Sequence, residues 1–223
     1  MKRSKTSHQW MREHMNDVYV KRARSEGYRS RASYKLLEIA ERDKLLRQGM
    51  TVVDLGATPG GWSQVARAQV GAGGQVYALD ILEMEPLPGV NFMLGDFRDE
   101  TVESQLSAAL AGRPIDLVLS DMSPNISGIV MSDQARAMHL AELALAFAVK
   151  HLKPGGSFLV KVFQGSGFQE FFKEMQRGFE KVSARKPEAS RGRSNELYLL
   201  GSKCRVTLPA VTGGEPTELQ KRV

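Results

Sequence analysis

Five stretches of the chain are continuous apolar runs rather than alternating ones: Thr51–Leu55, Gln75–Ile81, Val90–Leu94, Ile115–Ser120 and Ser157–Phe163. Runs of this length, rich in Val, Ile and Leu, predict strands of a sheet covered on both faces. Between them, apolar residues recur at helical spacing over Trp62–Val70, Glu100–Leu110, Asp133–His151 and Phe168–Arg177. Strand–helix alternation predicts an α/β fold: an open, mostly parallel sheet with helices on both faces and right-handed crossovers. Before the first strand the pattern predicts a helix from Ser33 to about Leu46, with Ser30 as its cap. After the last helix, Glu180–Lys186 and Leu197–Cys204 flank a polar loop and predict an antiparallel hairpin. From Pro209 onward the Thr, Gly, Glu and Pro content predicts a disordered tail. The expected division is a basic arm over 1–29, one domain over 30–206 and a tail over 207–223.

The pattern also has exceptions, and these carry the chemistry. Lys161 sits inside the apolar run Gly156-Ser-Phe-Leu-Val-Lys-Val-Phe163, where a buried strand should hold no charge. A strand-end lysine can snorkel to water, but three more charged residues stand at comparable edges: Lys35, Asp121 and Glu196. The turn after the first strand reads Asp54-Leu-Gly-Ala-Thr-Pro-Gly-Gly-Trp62. Its glycine spacing is neither that of a dinucleotide fingerprint nor that of a P-loop. An acidic first residue suits a ligand bearing an ammonium group and would repel a pyrophosphate. Asp-x-Gly-x-x-Pro-Gly-Gly is the usual shape of an S-adenosylmethionine loop. Asp80 closes the second strand, where a carboxylate can accept both ribose hydroxyls of a nucleotide. Asp96, just past the third strand, can accept from an adenine amino group. Asp121 follows the fourth strand, so it and Lys161 can face one ligand if the fourth and fifth strands both neighbour the first.

Composition narrows the class. The 223 residues are 42% hydrophobic and 25% charged, ordinary for a globular protein. No apolar stretch reaches the roughly 18–20 residues of a membrane span, and the basic N-terminus has no apolar core behind it. Cys204 is the single cysteine, and the four histidines have no ligand spacing, so neither a disulfide nor a metal site is expected. A cytoplasmic location follows as the expectation. Charge is uneven: residues 1–35 hold ten Lys/Arg against three acids, +7 of a total of +6. A second basic stretch runs from Lys181 to Arg193. Either these are solvated segments or they form a polyanion-binding surface, with residues 1–35 joined by Arg185, Lys186, Arg191 and Arg193.

Four segments in order, Asp54–Gln64, Ser120-Asp-Met-Ser-Pro-Asn-Ile-Ser-Gly128, Lys161-Val-Phe-Gln-Gly165 and Lys186–Arg191 through Glu196-Leu-Tyr-Leu199, resemble the FtsJ/RrmJ family of RNA ribose 2′-O-methyltransferases. The likeness spans about residues 8–204. It implies a Rossmann-like methyltransferase domain with an antiparallel last strand, and S-adenosyl-L-methionine as methyl donor. It further implies 23S rRNA in the large ribosomal subunit as partner and a uridine 2′-hydroxyl of the A-loop as acceptor; a monomer is the expected state. The family's catalytic Lys-Asp-Lys-Glu tetrad falls on Lys35, Asp121, Lys161 and Glu196. Its donor-binding positions fall on Gly60, Trp62, Asp80, Asp96 and Asp121. In such a site Lys161 either takes the hydroxyl proton or, still charged, orients the oxygen. Thr58 and Ser123 stand where alanine is common in the family, and the tail after Val206 has no counterpart. Methylation of transfer RNA, or non-catalytic RNA binding during ribosome assembly, are the competing expectations.

Overall fold

The computed structural model describes residues 17–190 and 194–205. Its strands are β1 Thr51–Leu55, β2 Gln75–Asp80, β3 Val90–Leu94, β4 Ile115–Ser120, β5 Leu152–Phe163, β6 Phe179–Arg185 and β7 Glu196–Cys204. They form one sheet in the order β3-β2-β1-β4-β5-β7-β6. Neighbours from β3 to β5 pair in parallel, and β7 runs antiparallel to both β5 and β6. The expected Rossmann-like sheet with an antiparallel last strand is therefore present. Strand order turns back between β1 and β4, which is where open α/β sheets bind ligands. Of the two strands expected beside β1, the fourth and the fifth, β4 does pair with it while β5 lies one strand further out; the other neighbour of β1 is β2.

Six helices complete the described chain: α1 Val18–Glu26, α2 Ala32–Asp43, α3 Gly61–Val70, α4 Glu100–Leu110, α5 Val130–His151 and α6 Phe168–Gly178. Each sheet face has its own core. Val53, Phe158, Val160, Leu197 and Leu199 pack with α4, α5 and α6. Val52, Leu159, Tyr198 and Leu200 pack with α2 and α3. Successive residues alternate between the two, which explains why the strand runs show no polar face.

The differences from the sequence reading lie at element ends. Within the expected arm, α1 forms on the Asp17 cap, whose side chain accepts from Tyr19 N at 3.0 Å, and ends at Gly27 with φ 77°. Its buried Val20 and Ala23 face inward, and Ala23 packs with Tyr34 and Ala189. So few apolar positions among so many cations hid it. Ser30 does not cap α2; Arg31 precedes the helix with no side-chain cap bond. Ser30 Oγ instead fills the space over Gly61, where an added Cβ would lie 2.3 Å from it. The helix stops at Asp43, and Leu45 and Leu46 reach the core beyond it. β5 begins at Leu152 rather than Ser157, because its pairing with β4 continues past a register shift at Ile115/Leu117. Residues 1–16, 191–193 and 206–223, which include Arg191, Arg193 and the expected tail, lie outside the described residues.

Candidate active site

The turn from β1 to α3 passes close to the loop after β4. Gly56 has φ 77°, and a Cβ there would come within 2.9 Å of Met122 backbone, so glycine is required twice over. Beside this turn, at the ends of β1, β2 and β4, lies a cavity of about 330 Å³ whose lining includes Asp80, Asp96, Asp121 and Met122. Asp80 is held by backbone: Oδ2 accepts from Thr58 N at 2.9 Å and Oδ1 from Leu82 N at 2.8 Å. Each oxygen keeps a second lone pair. Asp96 is clasped by Arg98, whose guanidinium bonds hold its carboxyl below the usual range. Two expected positions do not line the cavity. Gly60 forms the turn beneath it, its N–H donating to Ala57 O at 2.7 Å. Trp62 is buried, donates its indole N–H to Ala32 O at 2.8 Å and packs its ring on Tyr198.

Asp54 lies wholly inside, with 0% exposure. Oδ2 accepts from Ser63 Oγ at 2.7 Å, while Oδ1 has no hydrogen-bond partner among the described residues. Burial pushes this carboxyl up to about 7, and the charges of Asp121 and Asp80 push the same way. A buried acid with one unsatisfied oxygen at a strand end calls for an N–H donor or a water.

On the far side of Asp121 the four charged residues singled out in the sequence converge. The β5–β7 register sets Lys161 against Tyr198 and Phe163 against Glu196. Alternation turns Lys161 and Tyr198 to the α2 face. Lys161, 8% exposed, donates from Nζ to Asp121 O at 2.7 Å and lies 3.1 Å from Asp121 Oδ1. Lys35 reaches in from α2 and pairs with Glu196 Oε1 at 2.5 Å. Sequence reasoning gave no role to the residue that joins these pairs. Tyr198, at 0% exposure, accepts from Lys35 Nζ at 3.1 Å and donates to Asp121 Oδ1 at 3.0 Å. Burial, then the carboxylates of Asp121 and Glu196, raise its phenol well above the ordinary value, so it stays a donor. Its signal in sequence was only a hydroxyl in an apolar strand; the meaning comes from the cross-strand register with Lys161.

Two lysines and two acidic residues thus gather about one phenol in a largely buried cluster. Asp121 also lines the cavity beside the β1–α3 turn, so it belongs to both places. Such a cluster can hold a hydroxyl group and manage its proton beside a bound nucleotide.

The basic segments are less available than their charge suggests. Arg22 pairs with Glu26 at 2.6 Å, and Arg31 bonds to Asp17 and the Ala189 carbonyl. Arg29 donates to the carbonyls of Glu85 at 2.5 Å and Pro86 at 2.7 Å. Arg185 is bidentate to Asp43 at 2.7 and 2.6 Å, and Lys186 donates to Ser194 O at 2.9 Å. Most of these cations brace the fold.

Comparison with known proteins agrees with the geometry. A family model described as FtsJ-like methyltransferase matches residues 28–204. The ribosomal RNA large subunit methyltransferase E of Azoarcus sp. (strain BH72) is 63% identical over 201 residues, covering 90% of this chain and 98% of that protein. The protein of the same name from Dechloromonas aromatica (strain RCB) is 60% identical over 205 residues, covering 92% and 100%. A crystal structure of a ribosomal RNA methyltransferase from Plasmodium falciparum superposes with a TM-score of 0.68 at 26% identity, over 79% of this chain and 98% of that one. Matches that run through both core faces and all four converging residues support a single conclusion: the chain belongs to the FtsJ-like methyltransferase family.

Proposed function

We propose that the protein transfers a methyl group from S-adenosylmethionine to the ribose 2′-hydroxyl of a uridine in the A-loop of 23S ribosomal RNA. The observation that carries the reading is the convergence of Lys161, Asp121, Lys35 and Glu196 around Tyr198, beside a cavity lined with acids. The names of the relatives, which specify large-subunit ribosomal RNA, support the choice of substrate.

The residues fit the donor. Its ribose hydroxyls suit the free lone pairs of Asp80, and its adenine amino group suits Asp96. The orphaned Asp54 Oδ1, which is buried and does not line the cavity, suits an ammonium only through an intervening water. Trp62 and Gly60 shape the turn that holds these groups, behind the cavity wall. When bound, the donor supplies an electrophilic methyl group on a sulfonium.

The chain's own residues then handle the acceptor. A ribose hydroxyl is a weak nucleophile, and holding it at attack distance and in line supplies much of the acceleration. Asp121 binds Lys161 Nζ through its carbonyl and its carboxylate, which leaves one tetrahedral position of Nζ for the hydroxyl. As the new C–O bond forms, the hydroxyl loses one proton. An amine Lys161 accepts it there; an ammonium Lys161 fixes the oxygen lone pair, and the proton passes to water. Tyr198 and Lys35 fix the Asp121 carboxylate, and Glu196 fixes Lys35.

Transfer of labelled methyl from S-adenosylmethionine to large ribosomal subunits, free 23S RNA and bulk transfer RNA tests the reading. A 2′-O-methyl group blocks alkaline cleavage at its own nucleotide, which maps the product. Incorporation at one A-loop uridine is the expected result. Label in transfer RNA alone, or RNA binding with no label, would replace it with one of the competing expectations.

A further inference from the structure

A second concave surface lies on the α2 face of the sheet, away from the donor cavity. This groove, about 440 Å³, is lined by six cations: Lys44, Arg47, Lys153, Lys181, Arg185 and Lys203. They come from the end of α2, the loop before β1, and strands β5, β6 and β7. Three are paired: Arg185 with Asp43, Lys153 with Asp116 at 2.5 Å, and Lys203 with Glu180 at 3.1 Å. Lys44, Arg47 and Lys181 are exposed and have no carboxylate in ion-pair range among the described residues. The floor is Ser157, Ser183 and Ser202, all half-buried, with no hydrogen bond to their hydroxyls among the described residues.

Register ties this groove to the active site. Across β5, β7 and β6 the residues of the α2 face form rows. The first row is Lys161, Tyr198, Arg185; the next is Leu159, Leu200, Ser183; the third is Ser157, Ser202, Lys181. At about 3.3 Å per residue, the third row lies about 13 Å below the first. A sheet face meant for a helix would be apolar in its third row, as it is at Leu159 and Leu200. This one is hydroxylated and rimmed with unpaired charge. A lysine on an edge strand often serves only to prevent edge pairing, which accounts for Lys181 and leaves Lys44 and Arg47 unexplained.

We propose that this groove is a second RNA-binding surface, which holds phosphates of the substrate outside the target nucleotide. Cations in an open groove over serine hydroxyls match the charge and the hydrogen-bond acceptors of a phosphodiester backbone. The proposal rests on RNA being the substrate, and it moves the main phosphate contacts away from Arg22, Arg29 and Arg31, which the fold itself uses.

The test is the triple variant Lys44→Gln/Arg47→Gln/Lys181→Gln, none of which contacts the tetrad or the donor cavity. Binding of labelled 23S RNA fragments, with no donor present, is measured against salt for wild type and variant. Each lost phosphate contact removes about 0.7–0.9 from the log–log salt slope. The slope should therefore fall by about two, and affinity near 0.1 M salt by about 10- to 100-fold. Turnover at saturating RNA and donor affinity should be unchanged, and the charge-conserving Lys44→Arg/Lys181→Arg variant should bind as wild type does. Unchanged affinity and slope in the triple variant overturn the proposal. So does loss of binding to assembled subunits alone, which would assign the groove to an acidic protein surface. Failure of the methylation reading is distinguishable: wild type would then transfer no methyl to RNA, while its RNA binding would still depend on the three cations.

Discussion

The strands β3-β2-β1-β4 and the strands β5-β7-β6 carry charge in different ways. On the parallel side each acid has its partners locally: Asp80 two backbone N–H groups, Asp96 Arg98, and Asp54 Ser63 for one of its two oxygens. On the antiparallel side Lys35, Glu196, Tyr198, Asp121 and Lys161 form one continuous network assembled from three elements, α2, β5 and β7, and the loop after β4. Local satisfaction makes a site whose parts can be changed one at a time. A shared network makes a site whose parts depend on one another, because removing a member leaves buried partners unpaired. The parallel side is thus built for binding by separable contacts, as the proposed donor site requires, and the antiparallel side for the joint positioning that the proposed acceptor requires.

The largest expected break in this comparison is Lys161→Ala. Turnover should fall by about 10²–10⁴-fold, with donor affinity nearly unchanged in calorimetry. Near-wild-type turnover at saturating donor and RNA would sink the assignment. Next comes Asp54, the one acid on the parallel side with an orphaned oxygen. Its carboxyl is raised to about 7 in the fold, so its stabilising contribution is complete below the unfolded value and is lost as pH rises through 7. Asp54→Asn should thus gain stability over wild type between pH 5 and 8, by on the order of 4 kcal/mol at most. A difference in thermal midpoint that stays constant with pH would refute it. Asp80→Ala should weaken donor binding by about 1.5–3 kcal/mol and slow saturated turnover much less; unchanged affinity would return Asp80 to a structural role. The smallest effect sharpens the comparison most. Asp121→Asn with Tyr198→Phe should show a coupling of about 0.5–3 kcal/mol in turnover, whereas Asp80→Asn with Asp96→Asn should add within about 0.5 kcal/mol in donor binding. Equal coupling in the two cycles would erase the distinction.

The same division governs what could be read from the sequence. The parallel strands, the turn at Gly56–Gly61 and the strand-end acids were legible, because each depends on residues adjacent in the chain. Lys161 was legible as a charge in an apolar run. Tyr198 was not, since a tyrosine in a strand is ordinary until register sets it against Lys161. The start of β5 was hidden by Lys153-Pro-Gly-Gly156, which breaks the apolar pattern while the backbone goes on pairing with β4. The basic groove was invisible for the same reason as Tyr198: its cations are gathered from separate elements. Charge counts pointed to residues 1–35, but three arginines there are occupied within the fold.

Among the described strands β7 is the last to be synthesised, yet it lies between β5 and β6, both made before it. Until it inserts, β5 has an open edge, and Lys161 lacks Tyr198 while Lys35 lacks Glu196. The donor-side strands and their turn are by then complete. A chain that has reached β6 thus holds the strands and the turn beside the cavity without the partners of Lys161 and Lys35. Competence arrives in one late step, when a single hairpin shuts the gap. For a protein proposed to modify ribosomal RNA, that order of synthesis makes the proposed acceptor site the last part of the described fold to gain all of its residues.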